Sequence, residues 1–187
     1  MKRWRYSRSS ELAPTIATVD NVNEDGLAVW EDFLRYHATV TDALAEELER
    51  DAELPLAWYD VLIQLNNARD GRLRMQDLAS AIVLSKSGLT RLVDRMERAG
   101  LVARETCPSD RRGTFAQLTP AGRKRFRAAA PGHVRAVAQH FTAHLSDQQL
   151  AVMGDAFKAL LAAHRVTGLG PGCAGADTSD ALPVPSA

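Results

Sequence analysis

The chain has 187 residues, 45% of them hydrophobic and 25% charged, which fits one globular domain with tails that can bury its own core. No segment approaches the roughly 18 uninterrupted apolar residues of a membrane span, and the apolar part of the basic start MKRWRYSRSSELAPTIATV is broken by Pro14, Thr15 and Thr18. Cys107 and Cys173 make neither a metal-ligand spacing nor a disulfide framework, so a reducing compartment is expected and the chain reads as cytoplasmic.

The formal net charge of zero hides a segregation. Residues 1–10 carry +4, residues 11–68 carry −11, residues 69–127 carry +8 and residues 128–187 carry −1. A basic middle beside an acidic flank suits an anionic partner such as nucleic acid that docks on that middle alone. An unevenly charged solvated surface would have the same composition, so geometry has to decide.

Residues 1–24 read as a basic, flexible tail. From Asp25 to about Asp51, Leu27, Trp30, Leu34, His37, Thr41, Leu44 and Leu48 recur in steps of three and four, which predicts one long helix with a heptad-like seam. A second, short helix follows Pro55 with Leu56, Tyr59, Leu62 and Ile63, and Asn66 or Asn67, on one side. It ends before the turn-like ARDGR around Gly71.

Met75, Leu78, Ala79 and Ile82 are at helical spacing, and Leu89, Leu92, Val93 and Met96 repeat the pattern in SKSGLTRLVDRMERAG. Ser85 is placed to cap that second helix and Gly100 to end it in a left-handed conformation. At about 100° per residue, the face opposite its apolar stripe holds Ser87, Arg91, Asp94 and Arg98, flanked by Thr90 and Arg95. Helix, tight turn and a second helix with a Ser, Thr and Arg face is the arrangement that reads base edges in a major groove. An ordinary amphipathic surface helix is the competing reading of this segment alone.

The flanks LVARET and TFAQLT read as short strands around the loop CPSDRRG, a β-hairpin whose tip carries Arg111 and Arg112. Cations there could enter a minor groove or grip phosphate, and Asp110 beside them is better suited to orienting the tip than to touching a duplex. Beyond the hairpin, Pro120 after Thr119 opens a helix containing Phe126, Val134, Val137 and Phe141, with a bend expected at Pro131 and Gly132. Ser146 and Gln149 make a capping box for a last helix bearing Leu150, Met153, Phe157, Leu160 and Leu161. These apolar stripes, with the first helix, would bury more against a second chain. Residues 166–187, rich in Gly, Pro and Ser, are expected to be disordered.

Taken together, LASAIVLSKSGLTRLVDRMERAGLV followed by DRRGTFAQLTPAG between long helices resembles the MarR family of winged helix-turn-helix transcriptional regulators, over roughly residues 25–165. The resemblance implies a mainly α fold with a small β-hairpin wing. Residues 25–52 and 120–165 would be dimerisation helices around a winged helix-turn-helix at 54–119. It implies a homodimer that binds a pseudopalindromic site on double-stranded DNA, usually as a repressor that a small molecule or oxidant releases. Ser85, Lys86, Ser87, Thr90, Arg91 and Arg95 would belong to the DNA-binding set from the reading helix, and Arg111 and Arg112, oriented by Asp110, from the wing.

Similar proteins hold phenolic or other aromatic effectors between dimer helices and reading head, which makes Trp30 and His37 candidates; packing at a dimer seam explains the same two residues. Cys107 lies near basic residues that could activate a thiol, but the family's oxidant sensors resemble one another in a cysteine on the first helix, where this chain has none. Neither a nucleophile elbow nor a Gly-rich phosphate loop is present, so no enzymatic activity and no cofactor are expected. His140 and His144, four apart, lack a third metal ligand. A winged helix used to bind another protein remains the alternative to a DNA reader.

Overall fold

The structure is a computed structural model that describes residues 24–82, 86–107 and 110–165. The expected tails and the Ser85 cap lie outside these residues. The chain divides into two units between Ala43 and Leu44, so the first half of the first helix is described by itself.

Helix α1 spans Glu24–Ala52, as the seam predicts. Its end is abrupt: Glu53 takes a left-handed φ of 46°, and Leu54 turns into the core. Arg125 Nη2 donates to the Glu53 carbonyl at 3.0 Å and holds this corner. Helix α2, Leu56–Asn67, starts after Pro55 and buries Tyr59, Val61, Leu62 and Leu65. The stripe expected there was narrower. Leu56 and Ile63 are only half-buried, whereas Val61 and Leu65 are fully buried beside Tyr59 and Leu62, so the buried face is turned away from the first two.

ARDGR is a turn, with Asp70 and Gly71 both left-handed, and it leads into strand β1, Arg72–Arg74. Helices α3 (Met75–Ala81) and α4 (Lys86–Arg98) follow. Leu78 and Ala79 of α3, and Leu89, Leu92, Val93 and Met96 of α4, are buried as the helical period requires. At the end of α4 the Leu101 N–H donates to the Met96 carbonyl at 3.0 Å, and the Gly100 N–H donates to the Glu97 carbonyl at 2.9 Å. With Gly100 at φ 72°, this is a Schellman cap, and glycine is there because a Cβ would strain that φ.

Strands β2 (Val102–Cys107) and β3 (Asp110–Leu118) pair antiparallel, and β1 adds to the far side of β3, giving the order β1-β3-β2. The hairpin corrects the expected CPSDRRG loop. Cys107 pairs with Asp110 and Thr106 with Thr114, so Arg111, Arg112 and Gly113 form a bulge within β3 rather than part of a free loop. Ladder hydrogen bonding extends the strands toward the tip, and the bulge absorbs the three extra residues.

Helix α5, Pro120–His140, opens with the Thr119 hydroxyl accepting the Gly122 N–H at 2.9 Å while donating to the backbone at Gly100 and Leu101. A Cβ on Gly122 would overlap the Leu101 carbonyl oxygen, so glycine allows α5 to start directly against the α4–β2 corner. The helix continues on both sides of Pro131, but it stops at His140. Phe141, expected inside it, is its C-cap, and a 3-10 turn covers Thr142–His144. Helix α6, Asp147–Arg165, starts from the expected capping box: the Ser146 N–H donates to Gln149 Oε1 at 2.8 Å and the Gln149 N–H donates to Ser146 Oγ at 3.3 Å.

One core joins these elements, with Leu48, Leu62, Leu78, Val93, Met96, Val102, Ala116 and Phe126 among its members. Full burial of one such aliphatic side chain is worth about 1.5–3 kcal/mol, so this shared core is what holds α4 and the hairpin in a fixed relation. Beside it, the His133 ring lies 4.3 Å from that of Tyr59, and its buried Nδ1 has no hydrogen-bond partner among the described residues. Burial pushes the His133 imidazole below its usual pKa.

Candidate nucleic-acid interface

Helix α4 is amphipathic, and the core settles which side faces out. With Leu89, Leu92, Val93 and Met96 buried, Thr90, Arg91, Arg95 and Arg98 are all exposed. Arg98 Nε donates to the Asp94 carbonyl at 3.2 Å, which holds its guanidinium near its own helix. Lys86 and Ser87 belong to the first turn of α4 and Asp110, Arg111 and Arg112 to the tip end of β3. Of the expected contact residues, therefore, Thr90, Arg91 and Arg95 share one exposed helix face. Lys86, Ser87, Asp110, Arg111 and Arg112 are placed by backbone alone, and Ser85 lies outside the described residues.

Asp94 keeps the outward position expected of it, partly exposed, but is engaged within the protein. Arg104 on β2 reaches across to α4, where its Nη1 pairs with Asp94 and lies 3.3 Å from Glu97 Oε2. Its Nη2 donates to the Thr90 carbonyl at 3.1 Å, and its backbone N–H donates to Glu97 Oε1 at 3.1 Å. Arg104 is thus engaged within the protein and ties the wing strand to the reading helix. It offsets the charge of two carboxylates, Asp94 and Glu97, beside the exposed arginines of α4.

Two further cations escaped the sequence reading. Arg72 and Arg74 are exposed on the edge strand β1, each with its guanidinium carbon 5.3 Å from the centre of the Phe115 ring, while Leu73 between them packs on the core. Arg72 also lies 3.6 Å from Glu105. The alternation Arg-Leu-Arg was the available signal, since it places both arginines on one face of a strand.

The sequence matches the model of the MarR family over residues 52–113, which runs from the last residue of α1 into β3. The solved structure of AbsC, a MarR family transcriptional regulator from Streptomyces coelicolor, is similar to this chain with TM-score 0.72 and 35% identity, over 79% of this chain and 99% of that one. The chain belongs to the MarR family. Sco3205, another MarR family transcriptional regulator from Streptomyces coelicolor, was solved in complex with DNA and matches with TM-score 0.72 and 35% identity, over 82% of this chain and 92% of that one. The HTH-type transcriptional repressor YetL of Bacillus subtilis (strain 168) is 30% identical over 105 residues, 54% of this chain. This MarR-family chain spans between 51% and 63% of the length of three curated Bacillus subtilis regulators, YetL among them.

The helical flanks contrast with the winged helix. In the first half of α1, the rings of Trp30 and Phe33 stack at 5.7 Å and those of Phe33 and His37 lie 6.0 Å apart, with all three residues exposed. Leu27, Val29, Leu34 and Tyr36 are exposed beside them. On α6, Val152, Phe157, Leu160 and Leu161 are exposed. His140 Nε2 is bonded to Glu47 Oε1 at 2.7 Å, and among the described residues no group of three His, Cys, Asp or Glu could hold a metal ion. No helix among them is long and apolar enough to cross a membrane.

Proposed function

We propose that this chain is a sequence-specific DNA-binding transcriptional regulator that acts as a homodimer on a pseudopalindromic operator and represses transcription there. The observation that carries this reading is the division of α4: four apolar residues buried in the core, and Thr90, Arg91 and Arg95 exposed on the opposite face. Arginine reads guanine bidentately from such a face, while the wing arginines Arg111 and Arg112 suit phosphate or a minor groove. A neighbour solved with DNA supports the same use of the fold.

Dimerisation is supported by the exposed apolar residues of α1 and α6, which soluble monomers rarely leave in such rows. Two copies also present two reading helices to two half-sites. Small aromatic or phenolic compounds are the effector class to test first, because Trp30, Phe33 and His37 form a row of rings that a planar aromatic molecule can join.

Selection of bound duplexes from a random pool tests the proposal. A two-fold symmetric consensus is expected, and placing it between promoter and reporter should lower transcription when the protein is present. Failure to enrich any consensus would overturn DNA reading, and a consensus without symmetry would overturn the dimeric mode.

A further inference from the structure

We infer that the cleft at the start of α5 is a phosphate-binding site, separate from the reading helix and the wing tip. It is a cavity of about 590 Å³ lined by Asp70, Gln117, Pro120, Arg123, Lys124 and Arg127, among others. Small-ligand sites commonly occupy about 300–1,000 Å³, so a phosphorylated metabolite or a stretch of nucleic-acid backbone can enter it.

The charge of the lining selects for anions. Three cations against one carboxylate leave two net positive charges around the cavity. That surplus matches one phosphomonoester dianion or two adjacent phosphodiesters. The first turn of α5 carries no acidic residue, so no carboxylate offsets the positive end of the helix beside Arg123, and the aligned peptide dipoles add to the attraction for an anion there.

One of the cations is held in place before any ligand arrives. Arg123 Nη1 donates to Asn66 Oδ1 at 3.1 Å, and its Nη2 passes so close over Gly71 that a Cβ there would sit 3.0 Å away. The consecutive left-handed residues Asp70 and Gly71 bring this turn to the cleft, and the missing Cβ leaves space for the guanidinium. Lys124 and Arg127 are exposed and three residues apart, hence neighbours on one helix face. Guanidinium forks match pairs of phosphate oxygens, and the ammonium adds a point charge.

Two sources could supply the phosphate, a free phosphorylated small molecule or the DNA flanking the operator; the second rests on the function proposed above. The test uses the full chain and the variant Lys124→Gln/Arg127→Gln, whose exposed positions should leave the melting temperature at the wild-type value. In calorimetric titration with inorganic pyrophosphate, saturable binding to the wild type should weaken at least about fivefold in the variant if charge-assisted bonds are lost. The selected duplex is then compared trimmed to its consensus and extended by about one helical turn on each side. A loss by the variant on the extended duplex alone identifies flanking DNA as the source, and a loss with pyrophosphate alone identifies a free ligand. Equal behaviour of variant and wild type in both arms overturns the site. A wild type that fails to bind the trimmed duplex sinks DNA reading instead, and leaves the pyrophosphate result standing.

Discussion

Leu92 and Leu160 are the same residue type, at the apolar positions of two amphipathic helices, yet Leu92 is 3% exposed and Leu160 57%. The reading head completes its own core, whereas Val152, Leu160 and Leu161 of α6 are each more than half exposed. Periodicity marks which side of a helix is apolar without saying what covers it. In the winged helix the cover is the rest of the same chain; for α6, and for the first half of α1, a second copy is the proposed cover.

The comparison can be broken first at its most buried point. Leu92→Ala should destabilise the fold by about 2–5 kcal/mol, because the removed methyl groups leave a cavity in a closed core. Thermal or urea unfolding reads this directly, and a loss below about 1 kcal/mol would mean that the core of α4 is not closed.

Next in size is the exposed face of the same helix. Arg91→Ala should cost on the order of 1–3 kcal/mol of operator affinity and relax preference at one position per half-site, while unfolding stays at wild type. Arg112→Ala should weaken related sites more evenly and lower the salt slope by up to about one counterion per subunit. Titrations against operator and scrambled duplexes at several salt concentrations separate the two. Wild-type affinity, discrimination and slope in both variants would remove the DNA-reading assignment.

The mirror image of the Leu92 experiment is Leu160→Asp. It should leave the unfolding midpoint of the reading head almost unchanged but raise the dimer dissociation constant by roughly tenfold or more, since a charge in an apolar interface must be desolvated. Sedimentation over a concentration series measures it. An unchanged dimer would move the interface elsewhere.

Smaller still is Arg104→Met. The ion pairs it breaks are partly exposed, Arg104 itself at 26%, so the stability loss should be under about 1 kcal/mol. Operator affinity should fall more than stability does, because Asp94 and Glu97 would then face the phosphates unpaired. Equal losses in both measurements would make Arg104 a purely structural residue.

The smallest effect is one of pH. The folded state holds His133 less protonated than the unfolded chain does, so its contribution is complete above the ordinary imidazole value of about 6.5 and is lost as pH falls through that value toward the lowered one. Asp60, raised by burial, has the opposite sign, but it acts in the carboxylate range. Melting of wild type and His133→Phe between pH 7.5 and about 5 should show a shallower acid decline in the variant. Parallel curves would place the decline in another group.

Much of the site was legible because it depends on neighbours close in sequence. The stripe Leu89, Leu92, Val93 and Met96 dictates that Arg91 and Arg95 face outward. The hairpin was legible as a hairpin, but not its register: nothing local in CPSDRRG says that Cys107 pairs with Asp110 and leaves the arginines in a bulge. Arg72 and Arg74 were readable from alternation, yet three residues are too short a strand to identify until β3 pairs with them.

By itself the sequence determined the caps and the helix faces. Gly100, Thr119 with Gly122, and Ser146 with Gln149 cap their helices through hydrogen bonds that span only a few residues, so their signals are local. Tertiary structure alone decided that Arg104 would be engaged by Asp94 and Glu97 rather than free for DNA, and that Arg123 would meet Asn66 and Gly71 at a basic cleft. Asn66 and Arg123 stand 57 positions apart. Contacts over such separations have no local energetic signature, because they form only when burial of a shared core compensates the entropy of closing the intervening chain.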